Sequence, residues 1–157
     1  TILAAKPDLI IFDEPTTALD VTIQAQILDL MQSLQQEYGM GILFITHDLG
    51  VIAELCDDVV VMYAGRVAEK CSVEELFKHP KHPYTKGLLN SIPKLNQPNK
   101  SRLNTIEGQV PTLQNMPQGC RFYNRCPHKQ DDCKTLDHSF INQKDNSYVN
   151  CLHWHEI

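Results

Sequence analysis

Two carboxylates and an imidazole stand where short apolar runs end. Asp13 and Glu14 close the first run in "LIIFDEPTTALDV", and Thr46-His47-Asp48 closes a second in "LFITHD". Charge at the tip of a buried strand calls for a cationic or catalytic partner, because burying it alone is costly. Ligands of open parallel sheets gather at the carboxyl ends of the strands. There, this set suits a magnesium nucleotide. One carboxylate holds Mg²⁺ through water, since that ion keeps much of its hydration shell. The next orients or deprotonates an attacking water. The imidazole bonds the terminal phosphate, whose developing charge dominates the barrier. Either tip alone reads as a capped helix start; the pair favours a site.

A second set lies near the C-terminus. Cys120, Cys126, Cys133 and Cys151 follow the spacing C-x5-C-x6-C-x17-C. Four thiolates suit tetrahedral Zn²⁺ or an iron–sulfur cluster. The knuckle pairs common in zinc sites and the ferredoxin spacings are both missing, so spacing chooses neither. His128, His153 and His155 are rival zinc ligands and read as exposed tail histidines. Arg121 and Arg125 either offset thiolate charge or are solvated. Cys56 and Cys71 read as core or near-surface thiols. With no secretion signal, a reducing compartment is expected, and grouped cysteines there suggest metal before disulfide.

The elements that must position these groups follow from periodicity. Leu9–Phe12, Ile42–Ile45 and Val59–Met62 are too short for buried helices and read as interior strands of a sheet covered on both faces. Between the first two, Ile23, Ile27, Leu30, Met31 and Leu34 mark one helix face, with Asp20 as cap and Gly39 as stop. This is a βαβ unit, so its strands are parallel. A short helix is expected over 49–55. "AGRVAEKC" reads as a turn and a short edge strand, and "SVEELFKH" as a helix opened by a Ser72-x-x-Glu75 capping box. His79-Pro80 and His82-Pro83 form a stiff extended stretch, more a turn than a metal site. A further helix is expected at 84–90. Residues 91–119, rich in Pro, Asn, Gln and Lys, read as a linker or irregular wrap.

The 157 residues carry a net charge of −5 that hides an asymmetry. Up to Tyr63 there are ten acidic residues and one basic; from Ala64 onward there are thirteen basic and nine acidic. The acidic half is a poor surface for nucleic acid. No run approaches the ~20 apolar residues needed to cross a bilayer. The opening "TILAAKPD" has neither initiator Met nor targeting pattern, and residues 2–5 read as the last turn of a helix, as in a fragment.

"LIIFDEPTTALD" resembles the Walker B strand and D-loop of ATP-binding-cassette (ABC) ATPases, and "LFITHD" resembles their switch-histidine loop. The resemblance implies that Asp13 serves Mg²⁺, Glu14 is the catalytic base and His47 senses the γ-phosphate. It places Asp20, also the helix cap, in the D-loop facing a second ATPase subunit across an ATP sandwich. The phosphate-cradling G-x-x-x-x-G-K-[ST] loop and the Gly-rich signature sequence are not in the chain. The isolated chain is therefore expected to bind ATP weakly or not at all and to be inactive.

"HPKHPYTKGLLNSIP" and "GQVPTLQNMPQGCRFYNRCPHKQDDC" resemble the tail of ATP-binding subunits of oligopeptide and dipeptide importers. The implied fold is α/β: the C-terminal part of a P-loop ABC ATPase core with parallel strands (1–78), an importer-type extension and linker (79–119), and a small irregular cysteine-rich metal-binding tail (120–157). The implied cofactors are ATP, Mg²⁺ and a [4Fe-4S] cluster on Cys120, Cys126, Cys133 and Cys151, with Zn²⁺ as the alternative. The implied partners are membrane permease subunits and, indirectly, a peptide-binding protein, at the cytoplasmic face of the cell membrane. Nickel importers have similar subunits, so the solute stays open. A soluble ABC ATPase would share the strand-tip motifs but not the tail. A non-enzymatic metal-binding interaction module is the rival from another class.

Overall fold

In the computed structural model, residues 6–17, 19–93, 105–135, 141–142 and 147–157 are described. The expected helical turn at 2–5 and much of the linker expected at 91–119 lie outside them. The chain divides into two compact units, Thr1–Cys56 and Asp57–Ile157.

The first unit is the expected βαβ. Strands β1 (Leu9–Asp13) and β2 (Gly41–Ile45) pair in parallel, with Asp13 opposite Ile45. Helix α1 (Val21–Tyr38) crosses between them. Asp20 opens it by accepting the N–H groups of Thr22 and Ile23, both at 3.0 Å, and left-handed Gly39 (φ 64°) closes it. A positive φ is where glycine avoids the Cβ penalty. Helix α2 (Leu49–Leu55) starts on Asp48, which accepts from Gly50 (2.8 Å) and Val51 (3.4 Å).

Two details differ from the periodicity reading. The inner face of α1 runs through Gln24, Ile27, Leu28, Met31 and Leu34, while Ile23 and Leu30 are exposed. The strands are covered on one face only: Ile10 is buried, but Leu9 and Ile11 are 56% and 59% exposed. Phe12 and Phe44 stack along the covered side, with ring centroids 6.2 Å apart.

The second unit is built on a four-stranded antiparallel sheet in the order β3-β4-β6-β5. Strand β3 (Asp58–Tyr63) is thus not a third parallel strand. It turns back into β4 (Arg66–Ser72) through Ala64 (φ 47°) and Gly65 (φ 76°). Two consecutive positive φ values are those of a tight hairpin whose twist matches the strands it joins. Nor is β4 an edge: β6 (Tyr148–Val149) pairs along its other side, and β5 (Ile141–Asn142) pairs with β6. The tail therefore completes the sheet, and Val149 is fully buried in it.

Helices α3 (Val73–Lys78) and α4 (Pro83–Asn90) follow. Ser72 caps α3 through the N–H of Glu75 (3.3 Å), as its motif predicts. At α4 the cap is His82, whose Nδ1 accepts the Tyr84 N–H at 3.0 Å, with Pro83 at the first helical position. Proline there loses no bond, since that N–H has no intrahelical partner.

The Pro-rich stretch leading into α4 is held by a buried carboxylate. Glu69, 1% exposed, accepts the N–H groups of Lys81 and His82, each at 2.9 Å. An aromatic cluster joins β3, α4 and the tail: Tyr63–Tyr84 at 4.7 Å and Tyr63–Phe122 edge-on at 5.1 Å. Such tilted and edge-on pairs add to simple area burial.

Candidate functional site

In the first unit, the parallel register brings the two polar strand tips side by side. The Glu14 N–H donates to the Ile45 carbonyl at 2.9 Å, extending the ladder one residue past β1. Glu14 itself takes φ 45°. That left-handed conformation is unusual for a residue with a Cβ and is the kind of local strain that concentrates at functional sites. Its carboxylate then meets His47: Nδ1 lies 3.2 Å from Oε1. Thr17 donates its hydroxyl to Oε2 at 3.0 Å. The Thr17 hydrogen bond first, and His47 second, hold the Glu14 carboxyl below its ordinary range. Both side chains face solvent, His47 being 79% exposed.

Asp13, one residue earlier, is exposed and its carboxylate makes no hydrogen bond or ion pair among the described residues. Asp20 is placed differently: its carboxylate is engaged on the start of α1. Asp48 is likewise engaged, capping α2 and accepting from Gln24 Nε2 at 3.3 Å. The tips thus present one unengaged carboxylate, Asp13, beside a carboxylate–imidazole pair, Glu14 and His47. Thr17 had escaped the sequence reading. Its signal is the three-residue spacing from Glu14, which a turn folds back onto the carboxylate.

In the second unit, Cys120, Cys126, Cys133 and Cys151 line one recess together with His82, Pro83, Leu152 and His153. The backbone builds this convergence. Gly119 N–H donates to the Lys134 carbonyl and Cys120 N–H to the Cys133 carbonyl, both at 2.9 Å. A Cβ at residue 119 would lie 2.4 Å from the Cys133 carbonyl oxygen, so only glycine permits the approach. Burial raises all four thiols, Cys151 to about 12.

Arg121 and Arg125 are structural ties. Arg121 donates to the Ala64 carbonyl, and Arg125 to those of Ile106 (2.7 Å) and Glu107 (2.9 Å). His153 is no exposed tail residue: its side chain is 17% exposed, and Nε2 lies 3.0 Å from both Asp132 oxygens. Cys71, in β4, is buried, as expected of a core thiol, and burial pushes it up to about 12. Among the described residues, no helix is long and apolar enough to cross a membrane.

Comparison with known proteins shows what the chain is similar to. Residues 68–133 match the family described as "Oligopeptide/dipeptide transporter, C-terminal region". The oligopeptide transport ATP-binding protein AppD of Bacillus subtilis is 51% identical over 154 residues, 98% of this chain and 47% of AppD. The dipeptide transport ATP-binding protein DppD of the same organism is 47% identical over 149 residues, 95% of this chain and 44% of DppD. The structure of cbiO1 from Clostridium perfringens, part of the ABC transporter complex cbiONQ, is 36% identical with a TM-score of 0.46, covering 50% of this chain and 31% of that one. The chain spans about half the length of the curated relatives it matches. With residues 68–133 matching an oligopeptide/dipeptide transporter C-terminal region and about half its residues identical to peptide-transport ATP-binding proteins along nearly its whole length, the chain is similar to part of those proteins.

Proposed function

We infer that this chain supplies the metal-and-base side of an ATP-hydrolysing subunit that energises import of oligopeptides or dipeptides. The observation that carries this reading is the Glu14–His47 contact at the paired tips of β1 and β2, with Asp13 unengaged beside it. Glu14 accepts a proton from water as the water oxygen bonds to the γ-phosphorus and the bond to the ADP oxygen breaks. Thr17 orients that carboxylate from one side and His47 from the other. His47 is also the group that senses the γ-phosphate. Asp13 fits a hydrated Mg²⁺, because its carboxylate is exposed and uncommitted; the ion would neutralise phosphate charge. Asp20 opens α1 at the D-loop, which faces a second ATPase subunit.

The layout we propose is an ATPase-core part over 1–78, an importer-type extension over 79–119 and a metal-bearing tail over 120–157. The complete subunit works with membrane permease subunits and indirectly with a peptide-binding protein, held peripherally at the cytoplasmic face of the membrane. The reading as a soluble ATPase of another class loses ground to the transporter-specific match over 68–133.

In the tail, Cys120, Cys126, Cys133 and Cys151 are the residues that would hold a [4Fe-4S] cluster. Their convergence on one recess supports the fit. Zn²⁺ is the alternative occupant of the same four thiolates. The cluster would order a segment with little apolar core.

The test is steady-state ATP turnover by this chain and by the chain extended N-terminally to the full length of its relatives, each with and without Glu14→Gln. We expect none from the chain alone, turnover from the extended form, and loss of that turnover in Glu14→Gln. A folded extended protein that hydrolyses ATP equally well with Glu14→Gln would overturn the reading.

A further inference from the structure

Gln24 is an amide on the inner face of α1, a face that Ile27, Leu28, Met31 and Leu34 otherwise make apolar. Its Nε2 donates to Asp48 Oδ2 at 3.3 Å, a part-buried contact between groups twenty-four residues apart. Capping α2 does not require that bond. Asp48 meets the Gly50 and Val51 N–H groups through Oδ1, at 2.8 and 3.4 Å. Oδ2 takes the Gln24 amide, so one carboxylate joins two helices. A hydrogen bond to a carboxylate counts for more where water competes less for both partners.

Both ends of this link are anchored. The Gln24 N–H donates to the Asp20 carbonyl at 2.8 Å, in the turn whose earlier N–H groups the Asp20 side chain caps. The Asp48 N–H donates to Thr46 Oγ1 at 3.0 Å, and the Asp48 carbonyl accepts the Ile52 N–H at 3.2 Å. His47 stands between Thr46 and Asp48. Its side chain is 79% exposed, so its position follows the backbone that carries it. The contacts continue into the site, from His47 to Glu14 and from Glu14 to Thr17.

We propose that Gln24 is a positioning residue for ATP hydrolysis: through Asp48 it ties the loop carrying His47 to the helix that opens at Asp20. The proposal rests on the reading of Glu14 and His47 as the hydrolytic pair. Asp20 lies in the loop that faces a second ATPase subunit, so a shift of that loop reaches the imidazole through α1 and Gln24. Without the amide, Asp48 still caps α2, but the tip of β2 loses its tie to α1. His47 then loses its fixed approach to Glu14.

The experiment is steady-state ATP hydrolysis by the chain extended N-terminally to the full length of its relatives, comparing Gln24→Leu, Gln24→Lys and Glu14→Gln. Gln24→Leu keeps a good helix former and removes the donor, whereas Gln24→Lys keeps a donor long enough to reach Asp48. In Gln24→Leu, kcat should fall roughly tenfold with KM for ATP little changed, since misplacing a reacting group by about 1 Å costs up to ~100-fold. Gln24→Lys should recover most of that loss. In this chain alone, the His47 ring nitrogen NMR signals should shift in Gln24→Leu and return toward wild type in Gln24→Lys. Should Gln24→Leu fail to fold, Gln24→Glu, which sets like charge against Asp48, should show the same loss of kcat. Wild-type kcat in a folded Gln24→Leu or Gln24→Glu, with turnover abolished by Glu14→Gln, would overturn the proposal and leave the hydrolytic reading standing. Equal losses in Gln24→Leu and Gln24→Lys would overturn it too, because the donor would not be the cause. Undiminished turnover in Glu14→Gln would instead overturn the hydrolytic reading, and this proposal with it.

Discussion

Acid should loosen the second unit through one buried imidazole. His82 is 3% exposed, and burial lowers its pKa from 6.5 to about 4, countered only in part by a hydrogen bond to the Asn150 backbone. Its Nδ1 must stay unprotonated to accept the Tyr84 N–H that opens α4. Between pH 6.5 and 4 the unfolded chain binds a proton that the folded chain refuses. Stability from this group is therefore complete above about pH 6.5 and is lost as pH falls toward 4. At about 1.36 kcal/mol per pH unit, the whole window is worth about 3 kcal/mol, and the step from pH 7 to pH 5 about 2 kcal/mol. Urea unfolding of the metal-free chain, followed by circular dichroism at both pH values, measures the loss. His82→Asn is the comparison: asparagine caps helices well and does not titrate. It should be less stable than wild type at pH 7 yet lose about 2 kcal/mol less on going to pH 5. Equal losses in the two proteins would refute the assignment of the acid sensitivity to His82.

Three further outcomes follow from the geometry. Thr17→Val and His47→Ala should each raise the Glu14 carboxyl pKa, because each removes a group that lowers it; side-chain carboxyl NMR titration reads both, and no change in either would contradict the contacts drawn there. Gly119→Ala should destabilise the second unit by roughly 1–3 kcal/mol, since the new Cβ meets a backbone oxygen rather than a flexible side chain; an unchanged urea midpoint would contradict the close approach drawn there. Glu69→Leu should cost roughly 2–5 kcal/mol by leaving the Lys81 and His82 N–H groups without their acceptor, whereas Glu74→Ala, at an exposed pair with Lys78, should leave the midpoint in place.

What the sequence determined by itself is local. Asp20, Gly39 and Ser72 were legible as caps because a cap is made by residues two to four apart. Asp13, Glu14 and His47 were legible as neighbours because a βαβ unit has one allowed pairing, which aligns both carboxyl ends. The tertiary structure decided what distance in sequence conceals. Strand β3 carries an apolar run that fits a parallel interior strand equally well, but Ala64-Gly65 supplies an antiparallel partner at once. Strand β4 reads as an edge until β6, more than seventy residues on, takes its free side. Periodicity gave the apolar face of α1 only to within one position, and packing selected Leu28 over Leu30. Glu69 and His82 are polar residues that pattern alone puts outside. They are buried because the Pro-rich stretch offers N–H groups that no regular ladder satisfies, and a buried donor must find an acceptor. The Asp132–His153 contact spans twenty-one residues and no motif announces it. That closeness is a property of the fold rather than of any spacing in the chain.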